Sequence, residues 1–138
     1  MDILIDTNVI IDYADERVPF ADAAQRVMTL GETKRVRLCA TANTVTDIYY
    51  IHRKYVGSDA AREFLKVLFD VFYILPVTGE DCHAALALPM SDYEDSLQAA
   101  CARSAECACI VTRDIHHFAG SPVPALTPEQ FLEEWEHA

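Results

Sequence analysis

The sequence predicts an α/β fold in which one parallel sheet of four to five strands is covered by helices on both faces. Three observations carry this. Short apolar runs bounded by capping or turn residues alternate with longer segments whose apolar residues recur at three and four positions. Strands that alternate with helical segments call for crossover connections, which put helices on the faces of a parallel sheet. The 138 residues, 51% of them hydrophobic, suffice for one core and are too few for two ordinary domains, so residues 1–138 read as a single domain.

The first strand is the run Ile3-Leu4-Ile5, ended by Asp6-Thr7-Asn8, which suits the entry to a helix through Val9 to Ala14. Phe20, Ala23, Ala24, Val27, Met28 and Leu30 predict a second helix ending before Gly31, and Val36 to Ala40 a second strand. A helix from near Thr44 carries Val45, Ile48, Tyr49 and His52 on one stripe and breaks at Gly57-Ser58. Ala61, Phe64, Leu65, Leu68, Phe69 and Phe72 form the clearest helical stripe, running into a strand at Phe72 to Leu75 that Pro76 ends. A helix from Glu80 stops at Leu88, before Pro89. Ser91 and Glu94 stand at capping-box spacing and open a helix to about Ser104. Ala108 to Thr112 is the fourth strand, Val123 to Leu126 a short fifth, and Thr127-Pro128-Glu129 opens the last helix.

A net charge of −11, from 22 acidic against 11 basic residues, opposes a protein that grips a nucleic-acid duplex by its phosphates. That objection lapses where carboxylates gather around cations, because bound Mg²⁺ or Mn²⁺ reverses the local field. No window approaches the ~18 consecutive apolar residues of a membrane span. Met1-Asp2-Ile3-Leu4 also lacks the basic flank of a signal peptide, so a cytoplasmic protein without membrane contact is expected. The five cysteines (Cys39, Cys82, Cys101, Cys107, Cys109) show no zinc spacing and read as reduced thiols, with alternation placing Cys107 and Cys109 on one strand face.

Ligands of open parallel sheets bind beyond the carboxyl ends of the strands, where strand order reverses. Asp6 follows the first strand directly, and Asp114 follows the fourth through Thr112-Arg113. Asp47 lies early in the helix after the second strand, and Asp95 in the first turns of the helix that feeds the fourth. If the first and fourth strands are neighbours, these acids can converge on one edge. Carboxylates so gathered repel and raise one another's pKa unless cations neutralise them. Oxygen ligands select hard ions such as Mg²⁺ or Mn²⁺, and two such ions ~3.5–4 Å apart can hydrolyse a phosphodiester without another catalytic side chain.

The blocks Asp6-Thr7-Asn8-Val9-Ile10, Asp47-Ile48-Tyr49-Tyr50, Asp92-Tyr93-Glu94-Asp95-Ser96-Leu97-Gln98 and Thr112-Arg113-Asp114, in that order, resemble the PIN domain family, and more narrowly its VapC-type toxin branch. The resemblance extends to Pro124 through Leu132. It implies a PIN-like, Rossmann-like three-layer sandwich and a metal-dependent endoribonuclease, the toxin of a toxin–antitoxin pair. Carried over by position, Asp6, Asp47, Asp95 and Asp114 are the catalytic and metal-binding acids. Thr7, Asn8, Thr112 and Arg113 orient ligands or contact substrate. Implied partners are an RNA substrate, cut to leave a 5′ phosphate and a 3′ hydroxyl, and an antitoxin protein. Two positions depart from the family pattern: the second acid is commonly Glu where this chain has Asp47, and Asp114 and His117 stand where Asn and Asp are usual.

Plainer readings compete. Asp6 is also a natural helix cap, Asp95 a first-turn acid, Asp47 a solvated surface residue and Asp114 a turn residue. Asp92 and Glu94 read as helix-start residues, with an accessory metal role for Asp92 as the alternative. His116 and His117 read as solvent-facing. Arg113 suits either a substrate phosphate or a structural ion pair, and Tyr49 and Tyr50 either base stacking or the core. Aromatic-rich helices (Tyr49, Tyr50, Tyr55, Phe64, Phe69) predict a homodimer, in which the basic groups of two copies frame one RNA path. The rival functions are a phosphatase or phosphoreceiver and a non-catalytic module that binds RNA or protein.

Overall fold

A computed structural model describes residues 1–136. In chain order the elements are β1 (Asp2–Ile5), α1 (Thr7–Ala14), α2 (Ala21–Glu32), β2 (Arg37–Thr41), α3 (Ala42–Val56), α4 (Ser58–Val71) and β3 (Phe72–Leu75). There follow α5 (Gly79–Ala87), α6 (Tyr93–Ser104), β4 (Cys109–Val111), a 3₁₀ turn (Ile115–Phe118), β5 (Ala125–Leu126) and α7 (Pro128–Trp135). The strands form one parallel sheet in the order β3-β2-β1-β4-β5. The chain builds outward from β1 to one side, then returns to add β4 on the other. The switch point therefore lies between β1 and β4, as the placement of Asp6 and Asp114 required.

Both faces of the sheet are covered, which is why the strands read as apolar runs. Ile3, Ile5, Leu38, Ala40, Phe72, Cys109 and Val111 point to one side, where Val9, Val27, Ile48, Leu68 and Phe131 bring in α1, α2, α3, α4 and α7. Leu4, Cys39, Leu75 and Ile110 point to the other, against Ala99 and Ala102 of α6. Pleating thus divides successive residues between two cores and yields the expected three layers.

Four local expectations need correction. Gly31 does not stop α2, which continues to Glu32. The glycine serves packing, since a Cβ there would lie 2.5 Å from Cδ1 of the buried Leu38. The cap of α6 is Asp92, whose carboxylate accepts from the Asp95 N–H at 3.0 Å, so Ser91 and Glu94 form no capping box. The last strand is shorter than Val123–Leu126, because Pro122 and Pro124 have no N–H to offer a ladder and β5 lies at the edge. Cys107 precedes β4 and packs in the cluster of Leu4 and Cys39, whereas Cys109 packs in the opposite one. The described cysteines are all free thiols.

One buried polar pair ties two helices together. His52 Nδ1 of α3 lies 2.6 Å from Asp15 Oδ1 at the end of α1, with the Phe64 ring 5.1 Å from the imidazole. Asp15 Oδ2 has no partner.

Candidate active site

Asp6 stands at the N-cap of α1 but makes no side-chain cap hydrogen bond. Its backbone N–H donates to the Val111 carbonyl at 2.9 Å, extending the β1–β4 ladder by one step and fixing the residue at the strand ends. The carboxylate, in a residue 7% exposed, is held on both oxygens. Gln98 Nε2 donates to Oδ1 and the Thr112 hydroxyl to Oδ2, each at 2.8 Å. Thr112 Oγ1 also accepts the Asp114 N–H at 3.1 Å, so one hydroxyl couples the Asp6 carboxylate to the backbone of Asp114.

Asp95 lies one helical turn before Gln98 and so shares its face of α6. Burial, then repulsion from Asp6 and Asp92, pushes its carboxyl up to about 6; His117 opposes the shift and Asp114 adds to it. His117 Nδ1 is 3.8 Å from Asp95 Oδ2, beyond a hydrogen bond. Asp95 therefore senses the charges of Asp6, Asp92 and Asp114, and Asp92 is the cap with which α6 begins.

Asp47 is engaged differently. Its carboxyl hydrogen-bonds Glu94, and that bond, with desolvation and repulsion from Asp47, Asp92 and Asp95, pushes Glu94 up to about 7. Two carboxyls can share such a bond only around a proton. The acids thus run as a chain, with Asp47 joined to Glu94 and Glu94 repelled by Asp95 beside Asp6. Reading Glu94 as a plain helix-start residue missed this contact.

The supporting polar residues fall into two groups. The Thr7 hydroxyl bonds that of Thr44 at 2.9 Å, and Thr44 bonds Thr41 at 3.0 Å, which ties the start of α1 to the end of β2. Asn8 Oδ1 accepts the Arg113 N–H at 3.4 Å, across the switch point. The Arg113 side chain takes the ion-pair reading: its Nε lies 2.7 Å from Oδ2 of Asp12, which is 1% exposed. Burial pushes Asp12 up, partly offset by Arg113 and Arg17. The Arg113 guanidinium also sits over the Phe20 ring, 4.2 Å from its centroid. Of the tyrosines, Tyr50 is 51% exposed and Tyr49 half-buried, so neither is a core residue.

The donors around Asp6 are all oxygens, as a hard divalent cation requires. The raised pKa of Asp95 comes first from burial and then from repulsion by Asp6 and Asp92, and a cation would relieve the second of these. Among the described residues no three His, Cys, Asp or Glu side chains already enclose a cation position. Sequence reasoning assigned no role to Gln98 or Asp12. The spacing of Asp95 and Gln98 was a usable signal for the former, whereas nothing in the sequence joins Asp12 to Arg113.

A family profile described as the PIN domain matches residues 2–116. Ribonuclease VapC1 of Aquifex aeolicus (strain VF5) is 25% identical over 138 residues, covering 96% of this chain and 94% of the relative. Among solved structures, VapBC2 from Rickettsia felis, bound to a DNA fragment from their promoter, superposes with a TM-score of 0.73 at 14% identity, covering 92% of this chain and 98% of that one. A toxin–antitoxin complex from Klebsiella pneumoniae gives a TM-score of 0.69 at 22% identity, covering 91% and 97%. These likenesses agree with the parallel sheet flanked by helices, and the match over residues 2–116 shows that the chain belongs to the PIN domain family.

Proposed function

We propose that this protein is a metal-dependent endoribonuclease of the VapC type, cutting single-stranded or looped RNA, and that Asp6, Asp95 and Asp114, with Asp47 through Glu94, form its site. The observation that carries the reading is the Asp6 carboxylate: it lies at the switch point, is held on both oxygens by Gln98 and Thr112 rather than by helix N–H groups, and stands close enough to Asp95 to raise that carboxyl. A ligand that does not move can fix the position of an ion. The bound Mg²⁺ or Mn²⁺ would supply positive charge for the phosphodiester and acidify the attacking water. Asp95, on the face of α6 that carries Gln98 and close enough to Asp6 to sense its charge, would help hold the ion and orient that water. The products are a 5′ phosphate and a 3′ hydroxyl.

The likeness to Ribonuclease VapC1 and to toxin–antitoxin complexes supports a toxin role with an antitoxin partner, in the cytoplasm. No described helix is long and apolar enough to cross a membrane. Membership of the PIN family displaces the phosphatase and phosphoreceiver alternatives. The open arrangement of the acids favours one second reading, a non-catalytic binding module of the same fold. Cleavage of a mixed RNA pool with Mn²⁺ separates the two. The nuclease is expected to be silenced by EDTA and to lose orders of magnitude on Asp6→Asn with its circular dichroism unchanged. Cleavage that survives both treatments would refute the metal mechanism.

A further inference from the structure

Beside Asp114 opens a cavity of about 170 Å³ lined by Phe20, Arg113, Asp114, Thr127, Pro128 and Glu129. Three separate stretches of chain build it: the N-cap of α2, the segment after β4 and the start of α7. Its cationic wall is rigid. Arg113 is gripped from behind by the buried Asp12 and lies over Phe20, so its guanidinium cannot swing away to follow a phosphate. Phe20 is itself 37% exposed and offers ring surface for stacking. The acidic wall is free: Glu129 has no hydrogen-bond or ion-pair partner among the described residues, whereas the Thr127 hydroxyl is occupied by the Gln130 N–H.

These walls select a ligand class. Asp114 and Glu129 repel an anionic group, and Arg113 repels a cation. A neutral, planar, π-faced group with hydrogen-bond donors on its edge suits all of them. Bases of single-stranded RNA stack on aromatic rings and on guanidinium planes in this way. Carboxylates accept from an exocyclic amine such as cytosine N4. Uracil fits poorly, since its one ring N–H is flanked by two carbonyl oxygens that face the Glu129 charge. We propose that this cavity binds the nucleobase adjoining the scissile phosphate of single-stranded RNA, stacked on Phe20 and Arg113, and that Glu129 selects a base bearing an amino group. The proposal rests on the ribonuclease reading above for the identity of its polymer, though not for the chemistry of the cavity.

Two readouts test it. The first maps cut sites of wild type, Phe20→Ala, Phe20→Tyr and Glu129→Gln on a randomised single-stranded RNA pool. Phe20→Ala is expected to erase the base preference at one position beside the cut and lower kcat/KM about tenfold. Phe20→Tyr should restore both, and Glu129→Gln should admit uracil. The second follows backbone amide resonances of Phe20, Thr127 and Glu129 during titration with cytidine or uridine 5′-monophosphate. Cytidine is expected to shift them and uridine to do so more weakly, with the response lost in Phe20→Ala. RNA cleavage with a pattern indifferent to Phe20→Ala overturns the proposal and leaves the ribonuclease reading intact. No cleavage, with nucleotide shifts at Phe20, removes that reading and upholds the base site. Neither cleavage nor shifts removes both and leaves the cavity to a protein partner.

Discussion

Gln98 illustrates how a neutral side chain can govern an acidic site. It is 2% exposed, donates to Asp6 Oδ1 at 2.8 Å, and keeps its own Oε1 without a partner. Replacing it with Leu removes the donor while filling similar volume; divalent-metal affinity measured by calorimetry is expected to fall about 10–100-fold, as when other groups that orient metal ligands are lost. Among the acids, Asp6→Asn and Asp95→Asn should reduce RNA cleavage most, Asp114→Asn less, and the exposed His117→Ala least. Asp95 also carries a stability prediction. Its proton is held more tightly in the folded chain, so its contribution is complete below pH 3.8 and lost as pH rises through about 6. Asp95→Asn has no charge to bury, and in EDTA at about pH 7.5 it should be more stable than wild type by on the order of 1 kcal/mol. Asp2 and Asp81 shift downward and act in the opposite sense at lower pH, so the informative quantity is the variant minus wild type. A variant no more stable than wild type would mean that burial and the charges of Asp6 and Asp92 do not raise the Asp95 carboxyl.

Among the elements, α1 and α3 are joined by the Asp15–His52 pair, and these helices carry the site on their opening turns. His52→Leu leaves the Asp15 carboxylate buried without its donor, for an expected loss of about 2–3 kcal/mol in urea unfolding. Gly31→Ala reverses the usual rule for helices. Alanine normally stabilises a helix interior by about 1 kcal/mol, but here the added methyl meets Leu38, itself 1% exposed, and a net destabilisation of about 1–2 kcal/mol is expected. Most elements were legible because period and punctuation agree, as at Ile3-Leu4-Ile5 and in the stripe from Ala61 to Phe72. Legibility failed where a long-range contact outweighs a local signal. Gly31 reads as a stop but is a packing residue; Cys107 and Cys109 obey alternation only if the strand begins two residues early. Asp92 and Ser91 are both good caps, and geometry alone chose between them.

For the whole molecule the dominant quantity is the charge of −11. Part of it is concentrated at the switch point, so Mg²⁺ or Mn²⁺ should raise the melting temperature by mass action, and Asp6→Asn should lose most of that gain. A melting temperature indifferent to millimolar ions would argue against a cation site. Exposed Tyr50, Tyr55 and Phe69 on α3 and α4 support the expectation of a homodimer, which sedimentation at micromolar concentration would check. The candidate site was legible as four separated blocks because their order along the chain, rather than any one acid, resembles a family pattern. The sequence could not reveal that Asp6 is gripped by Gln98 and Thr112, because those contacts span 92 and 106 residues. That separation sets the order in which the protein can become active during its own synthesis. β1 lies in the middle of the sheet and leaves the ribosome before both of its neighbours, and Thr112, just behind β4, follows Asp6 by 106 residues. A chain released before Gln98 has the Asp6 carboxylate but neither of the side chains that hold it, and one released between Gln98 and Thr112 has only the first of them. On the proposed ribonuclease reading, a copy that stops short of Thr112 is expected to be inactive, because the hydroxyl that joins the Asp6 carboxylate to the backbone of Asp114 has not been made.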